Sequence, residues 1–127
     1  MNCNNLIVQF LAIQAQVKIL HWQTKSYSRH KAFDDLYDSL DDLIDSFVES
    51  YQGKYGRIKI NKSKIELLDS TSINLSSWLN KIRALLIDDV SNCVDSVRDS
   101  DLLGIRDDML SEVNKLNYLL TFKWMNK

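Results

Sequence analysis

Proline is absent from this chain, and glycine occurs only three times in 127 residues. A β-sandwich or an α/β domain needs more turn chemistry than that, whereas long helices joined by few turns need little. No apolar run approaches 18 residues, so no membrane-spanning helix is expected. There is no basic tract, and Lys plus Arg (16) nearly balance Asp plus Glu (17). A net charge of −1 gives no general grip on nucleic acid or on an anionic membrane, so neither is an expected partner. The start MNCNN lacks a basic n-region and does not read as a secretory signal, which leaves a cytoplasmic location as the expectation. Only two cysteines are present, Cys3 and Cys93, and they form no CxxC pair. In a cytosolic protein they are expected to be reduced, one terminal and one packed as a small hydrophobe.

What is present is helical periodicity. An apolar fraction of 45% and a charged fraction of 26% are those of an ordinary globular chain. The length suits a single domain, residues 1–127, with one core. A first helix is predicted from about Asn5 to Lys25, striped by Leu6, Phe10, Ile13, Val17 and Leu20, with His21 beside them. A second is predicted from about Ser28 to Gln52, striped by Phe33, Leu36, Leu40, Ile44, Phe47 and Tyr51, with Gly53 as its stop. Lys54 to Thr71 reads as a connector, with a short extended piece at Arg57–Ile60 and a helical turn at Ile65, Leu67 and Leu68. A third helix is predicted from near Ser72, lined by Leu79, Ile82, Leu86, Val90, Val94 and Val97. A fourth follows Asp99 and Ser100, which read as N-caps, and runs towards Trp124. Trp78 and Trp124 read as core or interface residues. Four amphipathic helices of about 20–26 residues predict an all-α four-helix bundle with a long connector between the second and third.

Acidic residues crowd the second helix: Asp34, Asp35, Asp38, Asp41, Asp42, Asp45 and Glu49, against Lys31. Such a run is most often a solvated face, but like charges at i, i+4 repel and a cation would offset them. His30 and Asp34 are i and i+4, as are Asp45 and Glu49. The inner pair Asp34/Asp45 and the outer pair His30/Glu49 share one midpoint, between residues 39 and 40. Eleven residues separate the two aspartates, which is close to three whole turns, so both pairs face the same way. They cannot meet within one chain, because eleven residues rise about 16 Å and ligands hold a metal at about 2 Å. A second copy laid antiparallel about that midpoint sets Asp34 against Asp45 of the partner subunit, and His30 against Glu49 of the partner subunit. A two-fold contact then creates two equivalent sites. The turn between the first two helices returns the chain, so His21 can approach His30. Two imidazoles with carboxylates suit iron, manganese or zinc, and the thiolates usual in structural zinc sites are missing.

His21-Trp22 followed by HxxFDxLYDxLDxxIDxxxE over His30 to Glu49 resembles the ferroxidase signature of the Dps-type mini-ferritins, members of the ferritin-like superfamily. The resemblance is good from His21 to Glu49 and less specific in the segment after Asp99. It implies a ferritin-like bundle with a crossover connector between helices two and three. It also implies a di-iron site between two-fold-related subunits, with His21, His30 and Asp34 from one chain and Asp45 and Glu49 from the other. Ferrous iron would be oxidised there by hydrogen peroxide or dioxygen, for iron sequestration or peroxide detoxification, and Trp22 resembles a tryptophan that can quench radicals. The turn after Trp22 is shorter than the family's, the third helix is trimmed, and no lysine-rich tail is present. The dimer is the assembly most directly implied, with a larger cage left open. Two other readings share these residues: a ferritin-like dimer that holds zinc or manganese without turnover, and a metal-free helical scaffold with an acidic docking face.

Overall fold

The computed structural model describes residues 2–122, so Trp124 lies outside the described residues. These residues form four helices and no strand. Helix α1 spans Asn4–Gln23 and α2 spans Tyr27–Tyr55. The third helix, α3, covers 75–93 as an α-helix at Leu75–Ala84, a π-turn at Leu85–Asp89 and a last α-turn at Val90–Cys93. Helix α4 spans Ser100–Leu119. The predicted apolar stripes are the buried faces: Leu6, Phe10, Val17 and Leu20 from α1, then Phe33, Leu36, Leu40, Ile44 and Phe47 from α2. Leu79, Ile82, Leu86 and Val90 from α3 and Leu102, Met109, Val113 and Leu116 from α4 complete one core. Helix α2 lies in the middle, packed against both α1 and α4. Phe10 meets Phe47 edge to face across the first of these contacts, with ring centres 5.3 Å apart.

Several boundaries differ from those predicted, each for a local reason. Helix α1 stops at Gln23 because Thr24 turns extended, and Ser26 then caps α2 by accepting the Arg29 amide at 3.3 Å. Helix α2 runs through Gly53 and ends at Gly56, whose φ of 87° is a left-handed value that glycine adopts freely. The extra turn is held because Lys54 and Tyr55 are both tied to Asp99. Helix α3 begins at Leu75, where Asn74 caps it by accepting from the Ser77 amide at 2.9 Å. It ends at Cys93, which leaves Val97 79% exposed rather than on a buried stripe.

The connector forms no helical turn at Ile65–Leu68; one short 3-10 turn appears at Ser70–Ser72. Residues 57–69 make an extended strap along the outside of α1. The Asn4 side chain accepts the Lys59 amide, and buried Gln16 pairs with both the amide and the carbonyl of Leu68 at 2.9 and 2.8 Å. Gln23 accepts the Ser70 amide at 2.7 Å and donates to Asp69. From Lys59 to Ser70 an extended chain covers about 36 Å, enough for the ~30 Å of α1.

In the π-turn the Val90 amide reaches back to the Leu85 carbonyl, five residues away. Ile82, Leu86, Val90 and Val94 recur every fourth residue, a row that drifts by about 40° per step around an α-helix. The wider turn rotates less per residue and keeps Leu86, Val90 and Val94 in the core. Within the turn the Leu86 carbonyl accepts from the Arg106 guanidinium of α4, at 3.0 Å.

The cysteines overturn one expectation. They are joined: Cys3 and Cys93 form a disulfide across 90 residues, with Cα atoms 5.4 Å apart. Cys3 is fully buried, and its amide donates to the Tyr51 hydroxyl at 3.1 Å. The bond ties the start of α1 to the end of α3. Disulfides persist in oxidising surroundings and are rare in a reducing cytosol, so the cysteines lend nothing to the cytoplasmic expectation. No described helix is long and apolar enough to cross a membrane.

Candidate metal centre

The α1–α2 turn brings the two histidines together. Their rings stack with centres 3.8 Å apart and planes 21° apart. Each ring is bonded to the other's backbone: His21 Nδ1 to the His30 carbonyl at 2.7 Å, and His30 Nδ1 to the His21 carbonyl at 2.8 Å. A carbonyl oxygen only accepts, so each Nδ1 carries the proton, and a neutral ring then has its lone pair on Nε2. Backbone carbonyls holding the far nitrogen are a recurrent support for metal-binding imidazoles. His21 is buried and His30 half-buried, with Tyr27 extending the stack on the His30 side at 6.3 Å. The three-residue turn makes this possible. Thr24 bonds back to the Leu20 carbonyl, the Ser26 amide bonds to the Thr24 hydroxyl, and the Ser26 carbonyl accepts the His30 amide.

Asp34 lies one turn beyond His30, half exposed, with Oδ1 4.0 Å from His21 Nε2. That gap is too long for a hydrogen bond. A small shift would let a cation at about 2 Å from each atom bridge it. Trp22 is 65% exposed and faces elsewhere, onto an open groove of about 390 Å³ shared with Leu11, Lys18, Tyr37 and Leu67. The Lys18 ammonium lies 4.5 Å from the Tyr37 ring centre and 5.9 Å from that of Trp22.

Asp45 and Glu49 are exposed on α2, about three and four turns from Asp34, and the chain does not bring them to the histidines. Their carboxyls meet each other. The Asp45 carboxylate, by hydrogen bond and by like charge, raises the Glu49 pKa above the ordinary value. Among the described residues no group of three or more His, Cys, Asp or Glu side chains forms a metal cage within one chain.

A second charged cluster sits at the opposite end of α2, and the sequence reading missed it. Asp99 is fully buried. It accepts from the Tyr55 hydroxyl at 2.8 and 2.6 Å, from the Asp95 amide at 2.8 Å and from Lys54 at 3.1 Å. Burial works to raise its pKa, but those hydrogen bonds and the Lys54 charge outweigh it and hold the value low. Lys54 also grips Asp101, which raises the lysine pKa and lowers that of Asp101. Tyr55 is raised, chiefly by its bond to Asp99. Asp95 is lowered by accepting the amides of Arg98 and Val97. Asp99 is therefore not a side-chain cap of α4, as its place before Ser100 suggested. The sequence signal available was Lys54-Tyr55 directly after a glycine, paired with a carboxylate that no helix face needed.

The described residues thus define an all-α, four-helix protein with a bonded histidine pair at one end of its central helix. By sequence, residues 21–120 match a family of unknown function (DUF5856), and the chain belongs to that family. The match starts at His21 and takes in every candidate ligand. No curated protein and no solved structure matches the chain.

Proposed function

We propose that this chain is a ferritin-like protein that binds ferrous iron at a site shared by two copies and oxidises it there. The observation that carries the reading is the His21–His30 pair. Both Nδ1 atoms are committed to backbone carbonyls, and both Nε2 atoms are without a hydrogen-bond partner among the described residues. Packing alone asks for neither feature. The path of the chain supports the ferritin-like reading. Helix α2 ends beside Asp99 and Cys3, the strap returns along α1, and α3 ends at the same Cys3. The strap is then a crossover, and α2 and α3 run the same way.

In this reading His21 and His30 present Nε2 donors and Asp34 supplies charge. Asp45 and Glu49 of the partner subunit close the site from an antiparallel α2. Nitrogen and carboxylate donors without thiolate suit iron, and they suit zinc and manganese as well. Iron is the substrate. Two ferrous ions give up one electron each, and hydrogen peroxide takes both electrons with two protons to become two waters. Trp22, next to His21 in the chain and exposed, is the candidate sink for stray radicals.

The test is complementation. Chains carrying Asp45→Ala and Glu49→Ala are mixed with chains carrying His30→Ala and Asp34→Ala, and ferric product is followed by absorbance after ferrous iron is added together with hydrogen peroxide. Each variant alone should be inactive, and the mixed dimer should recover one intact site. Mixed dimers without recovery would rule out a shared site. Tight ferrous binding without ferric product would leave a metal-holding dimer instead. Absence of any melting shift with divalent metal would favour the metal-free scaffold.

A further inference from the structure

The groove over α1 holds a cation that has no carboxylate partner among the described residues. Lys18 is half-buried there, its ammonium 4.5 Å from the centre of the Tyr37 ring and 5.9 Å from that of Trp22. The two rings hold the charge in place without neutralising it. Among the described residues the lysine and arginine ion pairs lie elsewhere: Lys54 with Asp99 and Asp101, and Arg106 with Asp107. Asp41 of α2 is held instead by Gln14, which lines the same groove, at 2.8 Å. Exposed acids nonetheless continue along α2, Asp38 and Asp42 among them.

We infer that this groove seats α2 of a second copy of this chain, with the Lys18 ammonium set against Asp42 of the partner subunit. This rests on the shared-site reading above and deepens it. About the midpoint between residues 39 and 40, Tyr37 stands level with Asp42 of the partner subunit. Level alone does not choose a side; helix geometry does. Asp34 and Asp45 lie about 20° apart around α2 and centre the face that meets the partner. Tyr37 lies about 70° to one side of that centre, and Asp42 about 70° to the other. A two-fold axis through the centre turns the partner's Asp42 onto the Tyr37 side. That is the side on which α1 lies, because Lys18 sits on the Tyr37 ring. Lys18 and the partner's Asp42 therefore share both level and side. The same symmetry sets Lys18 of the partner subunit against this chain's Asp42, so the contact is made twice. Lys18 is already held on its rings, so little of its freedom is lost on docking.

The test is a charge exchange, read as mass in solution by sedimentation across a concentration series. Wild type should be a dimer. Lys18→Glu should raise its dissociation constant about tenfold or more, and Asp42→Lys should do the same. The second loss runs against net charge, since removing an acid from an acid-rich contact by itself tightens it. Mixed in equal amounts, the two variants should pair with near wild-type strength, because both contacts of the mixed dimer then join opposite charges. Circular dichroism should show wild-type helical content for each. Lys18→Gln, which removes the charge without reversing it, should weaken the dimer by a smaller factor and serves if Lys18→Glu loses helix. A dimer that Asp42→Lys or Lys18→Glu leaves as tight as wild type, or tighter, overturns this inference and leaves the shared site standing. Failure of the two folded variants to pair also overturns it. A wild type that is monomeric at every concentration sinks the shared site itself, and this inference with it.

Discussion

The two ends of helix α2 handle polarity in opposite ways. At the Lys54 end the buried carboxylate is answered within the chain. Asp99 is buried with Tyr55, Lys54 and the Asp95 amide around it, and the Cys3–Cys93 bond and the Tyr51 hydroxyl lie beside it. At the His30 end the inner ring nitrogens are answered by carbonyls, but the outer nitrogens and Asp34 are left for something else. A buried charge fully paired is architecture; an imidazole held from behind and open in front is what the proposed site would use. The same helix therefore has one end closed on itself and one end whose outer ring nitrogens have no hydrogen-bond partner among the described residues.

The comparison breaks most visibly if the closed end proves dispensable. Reducing the disulfide, or Cys93→Ser, should cost about 4 kcal/mol because a loop of some 90 residues is freed. That corresponds to a fall in melting temperature of about 10–20 °C, read by circular dichroism with and without reductant. Metal affinity at the other end should not change. Asp99→Ala should cost about 3 kcal/mol by stranding its donors, again without loss of metal binding. An effect of either variant on ferrous affinity would show that the ends are coupled.

The open end should behave in reverse. His30→Ala should cost about 1 kcal/mol or less, yet lower divalent-metal affinity about 100-fold or more, measured by titration calorimetry. A large stability loss with unchanged metal affinity would make the histidine pair a packing feature. The pH profile sharpens the contrast. Asp99, Asp101 and Asp95 are held below ordinary carboxylate values, so their contribution is complete above about pH 4 and is lost as pH falls through the lowered folded values. Lys54 and Tyr55 are raised, so theirs is complete below about pH 10 and is lost as pH rises through the raised values. Urea unfolding from pH 3 to 8 should therefore show an acid limb that Asp99→Asn flattens. The smallest effect belongs to neither end. Gly104→Ala, with open space around the added methyl, should gain up to about 1 kcal/mol.

Much of the architecture was legible because it rests on periodicity. The stripes of Phe33, Leu36, Leu40 and Phe47, and of Met109, Val113 and Leu116, are the buried faces. Turn endings were less legible, since Gly53 and Gly56 are alike in sequence and only the hold of Asp99 on Tyr55 decides between them. The disulfide was not legible at all, because two cysteines 90 residues apart carry no spacing signal. The meeting of His21 and His30 was legible as a consequence of chain reversal. The reciprocal bonds to the two carbonyls were not, for they depend on how tightly Thr24 and Ser26 fold the turn. Asp99 looked like any N-cap aspartate, and its burial is decided by groups 44 and 45 residues earlier.

The π-turn at Leu85–Asp89 bears on how this helix tolerates changes of length. A wide turn holds one residue more than regular winding needs, and Ile87, Asp88 and Asp89 are all exposed. Deleting one of them would let the backbone close into ordinary α-helix without moving a buried side chain out of the chain's inventory. The cost would fall on the bond from Arg106 to the Leu86 carbonyl, which lies in this turn. Helix α3 thus carries a spare residue, and a chain shortened there should fold where one shortened by a residue in unbroken α2 should not.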